Sequence, residues 1–162
     1  LTFSTLHTND APSAVSRLYK MGVEPFLIAY AINLVVAQRL VRTLCPSCRR
    51  EKKELDPVLM DRLGFTETHL EEHTIYEAGE DESCPRCDGR GYTGRQAIAE
   101  AMYFSQDVRH LIAESGEDID EEALRETAQA EGLQTLQDSA RNLVLEGETS
   151  VEEMLRVTPS ED

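Results

Sequence analysis

The 162-residue chain has no long hydrophobic run. Its most apolar stretch, residues 26–37, is interrupted by Asn33 and is shorter than the ~20 residues that a transmembrane helix needs. The sequence also opens without the charged start, apolar centre and small-residue cleavage site of a secretory signal. We therefore predict no transmembrane segment, and the missing signal favours a cytoplasmic, reducing compartment over a disulfide-forming one.

Positive charge is scarce as well. The chain carries 16 Lys and Arg against 31 Asp and Glu, a formal net charge of −15. The imbalance lies in residues 54–162, which hold eight basic and 28 acidic side chains, whereas residues 1–53 hold eight and three. A surface this acidic repels phosphate, so direct nucleic-acid binding through the bulk of the chain is not expected. Solubility is the simplest consequence of the acidity.

The chain has only four cysteines, and they form two Cys-x-x-Cys pairs, Cys45 with Cys48 and Cys84 with Cys87. Zinc prefers tetrahedral thiolate ligands, and a Cys-x-x-Cys turn supplies two of them, so two turns predict one structural zinc site. Two disulfides, redox dithiols and unrelated thiols are the alternatives. The 35 residues between the pairs exceed the ~12–20 of compact fingers, which indicates that a metal would pin the ends of an inserted excursion.

The first 44 residues predict a strand followed by two helices. Residues 1–6 alternate in a strand-like way, and Asn9 or Asp10 can cap a helix that stops at Gly22. Pro25 suits the first turn of a second, buried helix over residues 26–37, with a basic end extending to Arg42.

The remaining chain predicts mainly helices. A short helix is expected from Pro57 to Leu63, and residues 67–83, with seven acids and no Lys or Arg, are expected to form a solvated loop. Residues 96–103 are predicted to form a strand or to pack against the cysteine turns. Four further helices are predicted from the residues that can start or stop them. One runs from Ser105 to Gly116, a second from Ile119 or Asp120 to Gly132, and a third ends at Gly147. A short last helix starts at a capping box formed by Ser150 and Glu153.

Three glycines, Gly89, Gly91 and Gly94, match the spacing of phosphate-binding loops. A P-loop would need a lysine and a hydroxyl residue after the last glycine, but Arg95 and Gln96 stand there, and the motif follows directly on Cys87 rather than on a strand. Tight turning beside a metal site is the preferred interpretation.

His7 differs from the other three histidines, which lie in acidic or helical surroundings. It ends the predicted strand and precedes Thr8, Asn9 and Asp10, and ligands bind at that position in open α/β folds. A local turn in which these polar residues compete to cap the helix is the alternative.

Several ordered segments resemble the PulE/GspE-type secretion ATPase family, which comprises the hexameric ATPases of type II secretion and type IV pilus assembly. The segment around His7 is similar to the family's histidine box, and the other similar segments are residues 21–28, 37–42, both cysteine pairs, 91–95 and 146–153. Pilus-retraction ATPases lack the cysteine pairs, so the resemblance points away from them.

The resemblance implies an α/β fold in which residues 1–44 are the tail of a RecA-like P-loop NTPase domain. Residues 45–95 would be a tetracysteine zinc subdomain and residues 96–162 a small C-terminal helical bundle. The chain, which starts at Leu1 without a methionine, would then be the C-terminal part of a longer protein, with the P-loop and the acidic magnesium site before Leu1. It would not hydrolyse ATP alone.

For the intact protein the resemblance implies ATP and magnesium as cofactors and a homo-hexamer at the cytoplasmic side of the inner membrane, in contact with a membrane platform protein. His7 would lie near the γ-phosphate with Thr8 and Asn9 in support. Arg17, Arg39 and Arg42 would serve the nucleotide or the subunit junction, unless they only solvate helix ends. A non-catalytic zinc-stabilised module, such as a DnaJ-type chaperone domain, is the alternative, since residues 84–91 match one such repeat unit.

Overall fold

The computed structural model describes residues 1–116 and 118–158, which contain eight helices and four strands. The helices are α1 (Ala11–Lys20), α2 (Pro25–Ala31), α3 (Pro57–Arg62), α4 (Glu67–Glu72), α5 (Gln106–Ala113), α6 (Glu121–Ala130), α7 (Leu136–Leu145) and α8 (Val151–Val157). The strands are β1 (Leu34–Leu44), β2 (Arg50–Glu51), β3 (Tyr76–Glu77) and β4 (Tyr92–Tyr103).

The chain divides into two compact units that interleave along the sequence. The first comprises Leu1–Gln38 and Ala99–Thr135, and the second comprises Arg39–Ile98 and the segment from Leu136 onward. Helices α5 and α6 thus belong to the first unit and α7 and α8 to the second. A single C-terminal bundle and a RecA-like tail are not confirmed, and the subdivision into residues 1–44, 45–95 and 96–162 stays a prediction.

Helices α1, α2, α5 and α6 enclose the core of the first unit together with the end of β4. Each fully buried Ile, Leu or Phe side chain contributes about 1.5–3 kcal/mol through its removal from water. The buried core residues are Ala11, Val15, Ile28, Ala29, Met102, Phe104, Val108, Ile112, Ile119, Leu124 and Ala128.

Two small sheets complete the fold, one pairing β1 with β4 and the other pairing β2 with β3 in antiparallel register. Along β1 the even-numbered residues from Leu34 to Leu40 are exposed and the intervening ones are partly buried, as the two-residue period of a strand requires.

The helix predicted over residues 26–37 is wrong in its second half and in its burial. Helix α2 ends at Ala31, and its Phe26, Leu27 and Tyr30 are more than half exposed. From Leu34 the chain is a strand, because β-branched side chains favour extended backbone and β4 provides hydrogen-bond partners.

The strand predicted for residues 1–6 is also wrong, since none of residues 1–8 lies in a helix or strand. A strand forms only where a neighbour pairs with its N–H and C=O groups, and no described strand pairs with this segment. Its apolar side chains Leu1 and Phe3 are consequently exposed.

The acidic segment 67–83 is more ordered than the predicted loop. Thr66 and His69 form a capping box that starts α4, with each side chain bonded to the other residue's backbone N–H at 3.2 Å. Strand β3 pairs with β2, where Arg50 Nε donates to Glu77 at 2.8 Å. The basic partners of this segment come from another part of the chain.

The helix starts predicted from caps are confirmed for four helices. Asp10, Ser105, Asp120 and Ser150 each accept a hydrogen bond from the backbone N–H three residues later. The short helix predicted from Pro57 is present as α3, capped by Asp56.

Candidate metal centre

The structure brings the four cysteine thiols of the second unit into one cluster. All four Sγ atoms lie within 4.8 Å of one another, with Cys45 to Cys84 at 3.9 Å and Cys48 to Cys87 at 3.6 Å. The four are free thiols, and all but the half-buried Cys48 are buried. The cluster rules out the reading of unrelated thiols.

Backbone hydrogen bonds hold both turns in shape. Arg49 N–H donates to the Cys45 carbonyl at 2.9 Å, and Asp88 N–H donates to the Cys84 carbonyl at 2.9 Å. A further bond from Cys45 N–H to the Gly91 carbonyl, 2.8 Å long, joins the two turns directly. The sulfurs therefore lie on a scaffold that is fixed by main-chain contacts.

The glycines of the second turn serve this geometry. Gly89 and Gly91 have φ angles of +73° and +71°, in the left-handed region that glycine adopts without strain, and Gly91 N–H donates to the Cys87 Sγ at 3.3 Å. The residues that follow form β4 rather than a helix, so the phosphate-loop reading of Gly89, Gly91 and Gly94 fails on its structural context.

The donor set fits a tetrahedral metal ion. Zn–S bonds of ~2.3 Å give a tetrahedron with sulfur-to-sulfur edges of about 3.8 Å, and two pairs that join the turns, Cys48 with Cys87 and Cys45 with Cys84, are 3.6 and 3.9 Å apart. Four sulfur ligands suit zinc or iron and leave no position open for water. The cluster is therefore competent to hold a metal in a structural role.

The pKa values of Cys45 and Cys48 are shifted in opposite directions. Burial opposes ionisation of Cys45, but hydrogen bonds from the backbone of Ser47 and Cys48 and from neighbouring thiols outweigh it and lower its pKa to about 7. Burial and the neighbouring sulfurs raise the pKa of Cys48 to about 12. A thiolate at Cys45 thus disfavours a second thiolate at Cys48, and a bound divalent cation would remove this penalty because metal ligation requires deprotonated sulfur.

Gly79 packs against the first cysteine turn with no room for a side chain. A Cβ atom there would lie 1.9 Å from the Cys48 carbonyl oxygen and 3.2 Å from the Cys48 Cβ. We expect Gly79→Ala to displace the turn, to destabilise the protein by about 1–3 kcal/mol, and to weaken metal affinity. Unfolding midpoints and metal competition titrations measure these effects. Gly116→Ala is the control because no atom lies within 4 Å of its Cβ position, and equal behaviour of the two variants would contradict the prediction.

A buried carboxylate in the second unit was not anticipated from the sequence. Glu153, on α8, has no exposed surface and accepts hydrogen bonds from the Arg42 backbone N–H and Nε, both at 2.8 Å. Arg156 Nε donates to it at 2.9 Å. Burial opposes ionisation of Glu153, but these bonds from Arg156 and Arg42 outweigh it and lower its pKa to about 2.

This arrangement changes two sequence-based interpretations. Ser150 caps α8 by accepting from the Glu153 N–H at 3.2 Å, but the Glu153 carboxylate binds the arginines instead of completing the predicted capping box. Arg42 was a candidate contact for the nucleotide or for a subunit junction. In the structure its guanidinium forms an ion pair with Glu153, and its Cζ lies 4.1 Å from the centre of the Tyr92 ring. Only the i,i+3 spacing of Glu153 and Arg156 was visible beforehand.

The segment around His7 lies in the first unit and precedes α1. His7 and Asn9 are exposed and Thr8 is half-buried, with its hydroxyl donating to the Asp10 carbonyl at 3.3 Å. The competition to cap α1 is won by Asp10, whose Oδ1 accepts from Ser13 N–H at 2.8 Å. Nucleotide contacts of His7, Thr8 and Asn9 stay a prediction.

A mixed helical domain with small sheets and a four-thiol centre is the class that the fold and site define. The sequence profile of the family described as "Type II/IV secretion system protein" matches residues 1–156. The chain belongs to this family.

Individual relatives agree with the assignment. The chain is 40% identical over 158 residues to a type IV pilus assembly ATPase PilB of Thermus thermophilus, covering 98% of the chain and 17% of that protein. It is 42% identical over 159 residues to the type II secretion system ATPase E of Vibrio cholerae, covering 98% of the chain and 29% of that protein. The chain thus spans less than a third of the length of these relatives. Among the helices of residues 1–116 and 118–158, none is long and apolar enough to cross a membrane.

Proposed function

We propose that this chain is the C-terminal part of a hexameric ATPase that powers type II protein secretion or type IV pilus assembly. The observation that carries the proposal is the family match over residues 1–156, together with about 40% identity to relatives named as ATPases of both machines. The intact protein would be a homo-hexamer at the cytoplasmic face of the inner membrane and would act on a membrane platform protein.

ATP hydrolysis needs groups that the 162 residues do not contain. No G-x-x-x-x-G-K-[ST] loop is present in the sequence, so the phosphate clamp and the magnesium ligands would come from another part of the intact protein. This chain by itself is therefore expected to be inactive. Its contribution to the nucleotide site would be His7, with Thr8 and Asn9 as supports.

The surroundings of His7 support that role. The imidazole is exposed and so is accessible to a ligand, and it stands three residues before Asp10, whose backbone and side chain are fixed by the cap of α1. A side chain that orients the reacting end of ATP has to be held in place, because catalysis of phosphoryl transfer depends mainly on positioning and charge stabilisation.

We further propose that the four cysteines bind zinc and that the zinc is structural. Its ligand shell of Cys45, Cys48, Cys84 and Cys87 would be complete, so the metal would hold residues 46–86 against the strands that flank them and would take no part in the reaction.

Replacing His7 with alanine in the full-length protein should lower ATP turnover by about 10- to 100-fold, because a positioned group at the reacting phosphate is lost. Steady-state phosphate release measures the effect. His73→Ala is the matched control, since His73 is also an exposed histidine but lies in the second unit after α4. Zinc content should be unchanged in both variants. Wild-type turnover in His7→Ala would show that the residue has only a structural role.

A further inference from the structure

The first turn of α1 is held by two residues that are distant in sequence. Arg125, on α6, donates from Nη2 to Asp10 Oδ2 at 2.8 Å, and Glu100, on β4, accepts from the Ala11 N–H through Oε1 at 2.9 Å. All four residues belong to the first unit. The two contacts fix consecutive residues, directly after the segment that contains His7, Thr8 and Asn9.

Both contacts are shielded from water. The Asp10 and Arg125 side chains are 12% and 20% exposed, and Glu100 is 1% exposed. Burial opposes ionisation of Asp10, but hydrogen bonds from Arg125 and Ser13 outweigh it and lower the pKa of this carboxyl group, so the pair is charged near neutral pH. A buried charge that loses its partner is costly, so the pair resists separation. Glu100 adds a carboxylate at the positive end of the α1 dipole.

Three residues of extended chain reach at most about 10 Å, so a fixed Asp10 limits where His7 can be. The bond from the Thr8 hydroxyl to the Asp10 carbonyl restricts the segment further. If α6 moved, Arg125 would move Asp10 through their ion pair, and the position of the His7 imidazole would change with it.

We propose that Arg125 is a positioning residue for His7, acting through Asp10, with Glu100 as the second support. The part of this inference that concerns ATP rests on the proposed function, whereas the part that concerns the order of residues 10–13 at the start of α1 does not. Arg125 touches neither nucleotide nor metal in this assignment. Its effect is on the geometry of the reacting group.

The test compares variants of the full-length protein at Arg125 with control variants at Glu122 and Val108. Arg125→Gln removes the charge that binds Asp10, and Arg125→Lys keeps a charge and should restore part of the function. Glu122→Gln is the matched control, because Glu122 lies on the same helix and approaches the same arginine at 3.9 Å on the exposed surface. Val108→Ala controls for loss of stability alone, since Val108 is an apolar side chain buried in the core of the same unit and carries no charge.

Two measurements are made on each variant. Amide hydrogen exchange of Asp10, Ala11 and Ser13, whose N–H groups are hydrogen-bonded at the start of α1, should accelerate by about 10-fold in Arg125→Gln and stay unchanged in Glu122→Gln. The kcat for ATP should fall by about 10-fold or more with KM changed less than about 2-fold, because the main phosphate contacts would lie elsewhere. Val108→Ala should lower the unfolding temperature without changing kcat.

The outcomes separate this inference from the proposed function. If the wild-type protein hydrolyses ATP but Arg125→Gln keeps both its exchange and its kcat, the inference is overturned and the function stands. A loss of kcat equal to that of Val108→Ala at equal loss of stability also overturns it. If the wild-type protein shows no ATPase activity, the proposed function fails, and exchange alone then decides whether Arg125 orders residues 10–13 at the start of α1.

Discussion

Replacing Cys84 with serine is expected to abolish stoichiometric metal binding and to lower the unfolding temperature by about 10 °C or more. Structural zinc contributes about 10–16 kcal/mol to the folding of zinc-finger peptides, and loss of one of four ligands removes much of that free energy. The remaining contacts of the second unit limit the loss of stability in Cys84→Ser. The buried position adds to the loss, because serine would leave a polar hydroxyl there without the metal. Metal analysis of the purified protein and calorimetric unfolding provide the two measurements.

The matched control is Arg86→Ala, which changes an exposed side chain in the same Cys-x-x-Cys turn and leaves the thiols intact. It should retain one zinc per chain and a near wild-type unfolding temperature. Unchanged metal content and stability in Cys84→Ser would contradict the structural zinc site. Stoichiometric iron with visible absorption in the wild type would keep the site but replace the metal, since four sulfurs also suit iron.

Replacing Glu153 with alanine is expected to destabilise the protein by about 1.5–3 kcal/mol, because hydrogen bonds to a buried charged group are lost while the arginine side chains, 44% and 56% exposed, can turn to water. The Arg42 backbone N–H would also lose its acceptor. Denaturant titration measures the change in the free energy of unfolding. Glu54→Ala is the control, since Glu54 is an exposed glutamate of the same unit. A change below about 1 kcal/mol in Glu153→Ala would show that the network contributes little.

The same residue predicts a pH dependence of stability. The pKa of Glu153 is about 2 in the folded protein against an ordinary value of 4.5. A depressed pKa in the folded state contributes stability that is fully present above 4.5 and is lost as the pH falls towards 2. The difference corresponds to about 3 kcal/mol. Glu153→Gln should therefore lose less stability than the wild type between pH 4.5 and 2, and parallel acid-unfolding curves would contradict this assignment.

The features predicted correctly from sequence depend on short-range chemistry. The two cysteine pairs are recognisable from their spacing. Cap residues such as Ser105 and Asp120 accept a hydrogen bond from a backbone N–H only three residues away. The family resemblance, confirmed by the profile match, also rests on short motifs in a fixed order. In each case the residues that produce the structure are neighbours in the chain.

The features that were missed depend on partners far away in sequence. Residues 34–44 became a strand because β4 pairs with them, and β3 is ordered beside β2, where Glu77 forms an ion pair with Arg50. Residues 1–6 had the pattern of a strand but have no strand partner among the described residues. Glu153 and Arg42 are 111 positions apart, so no local pattern could have revealed their contact.

The bond between Cys45 and Gly91 closes the chain immediately beyond Leu44 and immediately before Tyr92. The ends of the segment 46–90 meet at this hydrogen bond. Inserting residues into the segment therefore does not move the ends of the flanking strands apart, and the added loop length costs little entropy. Evolution can therefore lengthen or shorten this segment independently of the strands. The exposed stretch at Lys53 and Glu54 is, for the same reason, a suitable place to insert a fluorescent reporter that would allow the protein to be followed in living cells.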